Sequence, residues 1–137
     1  MTPEEAYAFL DNGPRYAVLS TVGKDGFPHA VPLGYFRVGD EVVLSMRGQH
    51  KVNAARNPKV SVLLEDGDSM TNLRGLLVRG EAVLVEDAEG VLELTREIAR
   101  RRGTAEDKLP TEPRPGAAFA RIPLARFASW DNTKDQR

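Results

Sequence analysis

The chain contains no cysteine, which excludes disulfides and thiolate-ligated metals. Histidine is nearly as scarce: His29 and His50 are the only two, and with no carboxylates spaced around them they suggest no metal site. No apolar run is long enough to span a bilayer or to form a signal-peptide core, so no membrane association is expected and the cytoplasm is the expected location. An excess of one charge is missing too. With 19 basic and 20 acidic residues, the chain lacks the cationic surplus of a generic nucleic-acid or anionic-membrane binder, and any positive patch must be local. Nor does a nucleophile stand beside a base. Pairs such as Glu4-Glu5 and Asp66/Asp68 read as helix-start and loop residues. Catalytic side chains therefore stay unassigned, and an enzymatic reading has to borrow its reactivity from a bound cofactor.

What is present suits one compact core: 137 residues, 41% hydrophobic and 28% charged, read as a single domain over 1–137. Thr2-Pro3-Glu4-Glu5 opens a helix, with a capping hydroxyl, a proline in the first turn and acids at the positive end of the dipole. That helix runs to about Leu10 and stops at Asn12-Gly13-Pro14. Tyr16 to Val22 reads as a strand buried on both faces. Lys24-Asp25-Gly26 turns the chain, and His29 to Phe36 returns as a second strand broken by Pro32, which cannot donate to a ladder. After Val38-Gly39-Asp40, Glu41 to Met46 completes a three-stranded meander.

The most informative stretch follows, EVVLSMRGQHKVNAARNPKVSVLLE over residues 41–65. A strand enters a basic, Gly-containing turn, then a helix from about His50 to Arg56 that Pro58 ends, then a strand from Lys59 to Glu65. Unpaired N–H groups at a helix start and adjacent cations favour a phosphate or carboxylate. Leu73 to Glu86 reads as one long strand bent at Gly75 and Gly80. Asp87 caps a last helix to about Arg102 with Val91, Leu92, Leu94, Ile98 and Ala99 on its apolar face. The Arg100-Arg101-Arg102 end of that helix reads as a solvated surface that offsets the dipole. The proline-bearing segment 103–116 reads as a mobile linker or lid. Ala117 to Ile122 and Phe127 to Trp130 close the sheet. At least six short strands and one long helix predict a mainly β fold, a small antiparallel barrel with peripheral helices. Such a barrel fills its own interior, so a ligand needs a surface groove, and a homodimer is the simplest way to deepen one.

The succession LSTVGKDGFPHAVPLGY, strand three, S-x-R-x-x-H-K-x-N-x-x-x-N-P, VSVLLE, LRGLLVRGEA and a terminal SWD resembles the pyridoxamine 5′-phosphate oxidase-like, FMN-binding split β-barrel family. The resemblance runs from about Tyr16 to Trp130 and is strongest to the short, deazaflavin-using branch. It implies a homodimer with coenzyme F420 or FMN in the interface groove, and hydride transfer to or from a small, planar organic substrate. It further implies that the phosphate is held by the turn after strand three, where Ser45, Arg47, Gln49, His50, Lys51 and Asn53 stand, since arginine makes forked bonds and lysine a point charge. The family usually sets a basic residue three before the Asn and a Leu after it. Here His50 and Ala54 hold those places, which leaves open whether His50 or Lys51 meets the phosphate.

By the same resemblance the ring lies against Thr21, Val31, Pro32 and Leu33, although plain core packing accounts equally well for Val31 and Leu33. Arg74 matches a stretch that reaches across the dimer, with a structural salt bridge as the alternative. Trp130 lines the ring pocket or anchors the dimer seam. F420 carries a phospholactyl-oligoglutamate tail, so cations beyond one phosphate site, Arg47, Lys51 and Arg56, favour F420 over FMN. Two other readings are a non-catalytic flavin or haem carrier on the same barrel and a cofactor-free dimeric module. A true pyridoxamine 5′-phosphate oxidase is disfavoured, because that enzyme's substrate-binding tail is not found.

Overall fold

A computed structural model describes residues 1–135. Helix α1 (Pro3–Asn12) is held at its start by a reciprocal pair: the Thr2 hydroxyl accepts the Glu5 N–H at 3.1 Å, and the Glu5 carboxylate accepts the Thr2 N–H at 3.0 Å. Two orphan donors are thereby satisfied. The helix buries Ala6, Phe9 and Leu10.

The strands are β1 (Ala17–Val22), β2 (Pro28–Leu33), β3 (Tyr35–Val38), β4 (Glu41–Met46), β5 (Lys59–Asp66), β6 (Arg74–Glu81), β7 (Val83–Val85), β8 (Ala118–Pro123) and β9 (Phe127–Asp131). Helix α2 (Gly48–Arg56) joins β4 to β5, and α3 (Ala88–Arg101) follows β7. All pairings are antiparallel. They form a five-stranded sheet in the order β2-β1-β5-β6-β9 and a four-stranded sheet in the order β3-β4-β8-β7. Inward residues of both sheets, Leu19, Val62, Leu64, Leu76 and Val78 from one and Val42, Leu44, Ala120 and Ile122 from the other, share one core with α1. This is the expected split barrel. Each fully buried aliphatic side chain contributes about 1.5–3 kcal/mol relative to exposure.

Three strand readings are corrected. The segment read as one strand from His29 to Phe36 is two, and the break falls at Gly34, not Pro32. Pro32 sits inside β2, opposite Val18, and is tolerated because β2 is an edge strand whose outward N–H has no ladder partner to lose. The chain changes sheet at Gly34, so the meander is two hairpins in different sheets. Likewise Leu73 to Glu86 divides at Ala82, where β6 leaves the five-stranded sheet and β7 joins the other. Finally, β1 is not buried on both faces: Ala17, Leu19 and Thr21 are buried, while Val18, Ser20 and Val22 are half-buried on the outer face.

Helix α3 covers a second cluster of Val43, Val85, Val91 and Phe119 with the half-buried Leu94 and Ile98. Its terminal cations are paired at the surface, Arg100 with Glu106 at 3.1 Å and Arg101 with Glu97 at 3.0 Å. Segment 103–116 is tied to the body of the protein at several points besides the Arg100–Glu106 pair. Leu109 is buried, and Arg96 donates to the Pro110 carbonyl at 2.7 Å.

Candidate functional site

Helix α2 packs across β1 and β2, and its inner face is polar where it meets them. His50 and Asn53 are 6% and 1% exposed. Asn53 Nδ2 donates to Thr21 Oγ1 at 3.1 Å, and Gln49 Nε2 donates to Asn53 Oδ1 at 2.8 Å. Arg56 donates to the Val22 carbonyl at 2.5 Å and approaches Asn53 Oδ1 at 3.4 Å. A buried amide left unpaired would cost about 1–3 kcal/mol, so the network that pairs Asn53 fixes α2 on the hairpin.

The turn between β4 and α2 is set by His50. Its Nε2 accepts the backbone N–H of Arg47 at 3.0 Å, and a backbone hydrogen bond ties the ring to Ser45. Burial, with His29 and Arg47 nearby, pushes His50 below its ordinary pKa of 6.5. The imidazole is therefore neutral near pH 7, and its acceptor nitrogen is spent on the main chain. Gly48 occupies the next position with φ 60°.

What remains free at the turn is cationic and amide. The exposed Arg47 guanidinium has no carboxylate partner among the described residues. Gln49 is exposed, as is Ser45 at the end of β4. Lys51 is half-buried and meets Glu86 at 3.4 Å. A recess of about 480 Å³ opens between α2 and the β1–β2 turn, lined by Lys24, Phe27, Pro28, His29, Gln49 and Asn53. His29 Nδ1 is buried and has no hydrogen-bond partner among the described residues. Phe27 is 72% exposed. A larger groove of about 860 Å³ runs along the outer face of β1, β5 and β6, past Ser20, Val22, Ser61, Arg79 and Arg126.

The structure brings Arg47, Gln49, His50, Lys51, Asn53 and Thr21 together around α2. Ser45 joins them through its backbone bond to the His50 ring, whereas Val31, Pro32, Leu33, Arg74 and Trp130 are placed elsewhere. Val31 and Leu33 lie on the inward face of β2 and pack against the main core, while Pro32 points outward. Thr21 is 1% exposed and bonded to Asn53. Arg74 lies over the Phe9 ring of α1 and pairs with Asp66 through both terminal oxygens, at 3.0 and 2.5 Å. Trp130 stands opposite Gly75 on the half-exposed outer face. Sequence reasoning missed His29 as a site residue, because a lone histidine invites only a metal test; its register opposite Thr21 was the available signal.

The residues present fit a phosphorylated flavin-type group: an exposed guanidinium without a carboxylate partner among the described residues and an exposed amide with one N–H beyond its bond to Asn53, both at a helix start, and a buried imidazole nitrogen without a partner in the recess that the amide lines. Among the described residues no group of His, Cys, Asp or Glu could hold a metal, and no helix is long and apolar enough to cross a membrane.

Comparison with known proteins identifies the family and the fold. A family profile described as pyridoxamine 5′-phosphate oxidase matches residues 2–130. The crystal structure of a conserved hypothetical protein from Mycobacterium tuberculosis is 30% identical, covers 98% of this chain and 87% of its own, and superposes with a TM-score of 0.83. A structure described as an F420 reductase is 25% identical with a TM-score of 0.61, covering 88% of this chain and 94% of its own. A FAD-binding protein from Mesorhizobium loti, 22% identical over 94% of this chain and 92% of its own, shares the fold with a TM-score of 0.68. No curated protein matches the chain.

Proposed function

Because this chain belongs to the pyridoxamine 5′-phosphate oxidase family of split barrels, we propose that it is an oxidoreductase transferring a hydride between coenzyme F420 and a small, planar organic substrate. The observation that carries the proposal is the Arg47 turn: an exposed guanidinium with no carboxylate partner among the described residues caps α2, and Gln49 in the first turn of that helix lines the recess against the β1–β2 turn. The bound deazaflavin supplies the hydride chemistry. The protein binds and orients it, so no dedicated acid or base is needed. Arg47 and Gln49 hold the phosphate. Lys51 adds its charge, while His50 shapes the turn instead of touching the ligand. FMN is the alternative cofactor, and it ends at its phosphate, whereas the cations beyond Arg47 favour a longer anionic tail. The structure described as an F420 reductase supports the same choice.

The active form in this proposal is a homodimer. Register places Pro32, Val18, Leu63, Leu77 and Ala128 in one row across the outer face of the five-stranded sheet. Every one of them is half-buried or exposed in the single chain. A second copy covering that row would wall the groove and bring its own Arg74 and Trp130 near the seam. His50 offers no haem ligand, because its Nε2 lone pair is already taken by the Arg47 N–H.

Fluorescence titration of the purified protein with F420 and FMN tests the proposal. Tight F420 binding that weakens roughly tenfold or more in Arg47→Ala, the scale of one charged hydrogen bond, is expected. Unchanged binding in an Arg47→Ala, Lys51→Ala double variant would overturn the phosphate placement, and failure to bind either cofactor would overturn the enzyme reading.

A further inference from the structure

We propose that Lys51 and Arg114 form a second anion subsite, which holds the carboxylates of the tail that F420 carries beyond its phosphate; the inference rests on the F420 reading above. Arg114 enters from the segment that sequence reasoning treated as a linker. Its position is fixed by a four-residue turn in which the Ala117 N–H donates to the Arg114 carbonyl at 3.1 Å. Pro115 and Gly116 occupy the two central places, and Gly116 has φ 76°. This is the type II arrangement, in which proline pre-sets the first torsion and only a residue at ease with positive φ takes the second. Arg114 thus sits at a defined corner.

That corner lies beside the phosphate turn for a topological reason. In the β4–β8 pair, Met46 stands opposite Ala118. The next residue along β4 is Arg47, and the residue before Ala118 is Ala117, the end of the Arg114 turn. Both turns therefore leave the same end of the same sheet. Arg47 caps α2, and Lys51 stands in its first turn, where its N–H donates to the Arg47 carbonyl at 3.4 Å. Lys51 and Arg114 are the two cations brought to one recess, one helical turn beyond the Arg47 cap.

That recess, of about 320 Å³, is lined by Lys51, Glu86, Ala88, Pro113, Arg114 and Gly116. The Arg114 residue is exposed, and its side chain has no hydrogen-bond or ion-pair partner among the described residues. Lys51 is held by Glu86 at 3.4 Å, and the Glu86 side chain is 54% exposed. A solvated pair of that kind contributes little, so an incoming carboxylate displaces Glu86 at small cost. A phosphate-terminated cofactor such as FMN does not reach this recess and gains nothing from it.

The test is a titration of wild type, Arg114→Ala and Glu86→Gln with F420 and FMN at low ionic strength, followed by repetition at higher salt. Arg114→Ala is expected to weaken F420 binding about tenfold, the scale of one charge-assisted contact, with FMN unchanged. Glu86→Gln is expected to strengthen F420 binding, because it frees Lys51. Salt is expected to weaken F420 binding less in Arg114→Ala than in wild type. Both substitutions lie at exposed positions, so unchanged thermal melting accompanies these shifts. Equal loss for F420 and FMN, or F420 binding unaffected by Arg114→Ala, overturns the subsite while leaving the F420 reading intact. A wild-type protein that binds FMN but not F420 overturns both.

Discussion

The backbone N–H of Arg47 donates to Nε2 of His50 at 3.0 Å, so the turn that presents Arg47 is closed by an imidazole that must stay neutral. Burial comes first among the causes that lower its pKa, followed by His29 from β2 and Arg47 from the turn itself; the Ser45 backbone opposes them. With the folded value below the unfolded value of 6.5, the contribution is whole above that value. It declines as pH falls toward the folded pKa, because the unfolded chain takes up the proton first. Urea denaturation across this window should show stability falling with acid in wild type, and a flatter profile in His50→Gln. Equal slopes in the two proteins would remove His50 from the linkage.

Asn53 joins α2 to β1, bonded to Thr21 across the two elements and to Gln49 and Arg56 within its own helix. Asn53→Leu should cost about 1–3 kcal/mol, since it strands the Thr21 hydroxyl in a buried position. Adding Thr21→Val should recover part of that loss, because two apolar partners of similar shape leave nothing unpaired. Strictly additive losses in the double variant would show that the two side chains do not depend on each other.

Much of this architecture was legible in local sequence. The Thr2 capping box, the Asp87 cap, whose carboxylate accepts the Gly90 N–H at 2.8 Å, and the turns around Gly26 and Gly39 follow from residue chemistry within a few positions. The sheet partition was not legible. His29 to Phe36 has one continuous local pattern, and only non-local pairing decides that the chain changes sheets at Gly34. For the site, the basic turn was visible as a pattern, yet the division of labour within it was not. The ring of His50 caps Arg47 through a bond three residues long, and the same spacing in the sequence looks like one more cation. Arg114 was hidden because a proline-rich stretch reads as a linker until the Met46–Ala118 register shows where it docks.

Tyr35 donates its hydroxyl to the Pro14 carbonyl at 2.5 Å. Burial, and after it the charge of Asp11, raises its pKa from 10.0 to about 12. Between those values the unfolded chain has lost the phenol proton and the folded one has kept it, so stability should fall as pH rises through that window. Alkaline absorbance titration should show one of the three tyrosines ionising late, and Tyr35→Phe should abolish that phase. Three tyrosines titrating together in the folded protein would contradict it.

Leu63 and Leu77 face each other in the β5–β6 register on the outer face of the five-stranded sheet. If a second copy covers them, Leu77→Glu places a charge in an apolar seam and should convert a dimer into a folded monomer. Sedimentation velocity reads this directly. Monomeric wild type would remove the dimer from the proposal, and a dimeric variant would move the interface elsewhere.

Gly75 and Trp130 are cross-strand neighbours, and the indole lies where a side chain on Gly75 would be. A Cβ built there falls 2.1 Å from both Cε2 and Cζ2 of the ring, far inside van der Waals contact. The glycine is required by this close approach, since its φ is not positive. Gly75→Ala should therefore displace the ring, at a cost of about 1–3 kcal/mol from overpacking, and shift the emission of the single tryptophan. In a Trp130→Ala background the same substitution should cost far less, because the obstacle is gone, and the difference is the coupling between the two positions. Gly75→Ala tolerated equally in both backgrounds would mean that Trp130 has another rotamer available. In the proposed dimer that freedom would leave the seam without a fixed aromatic wall.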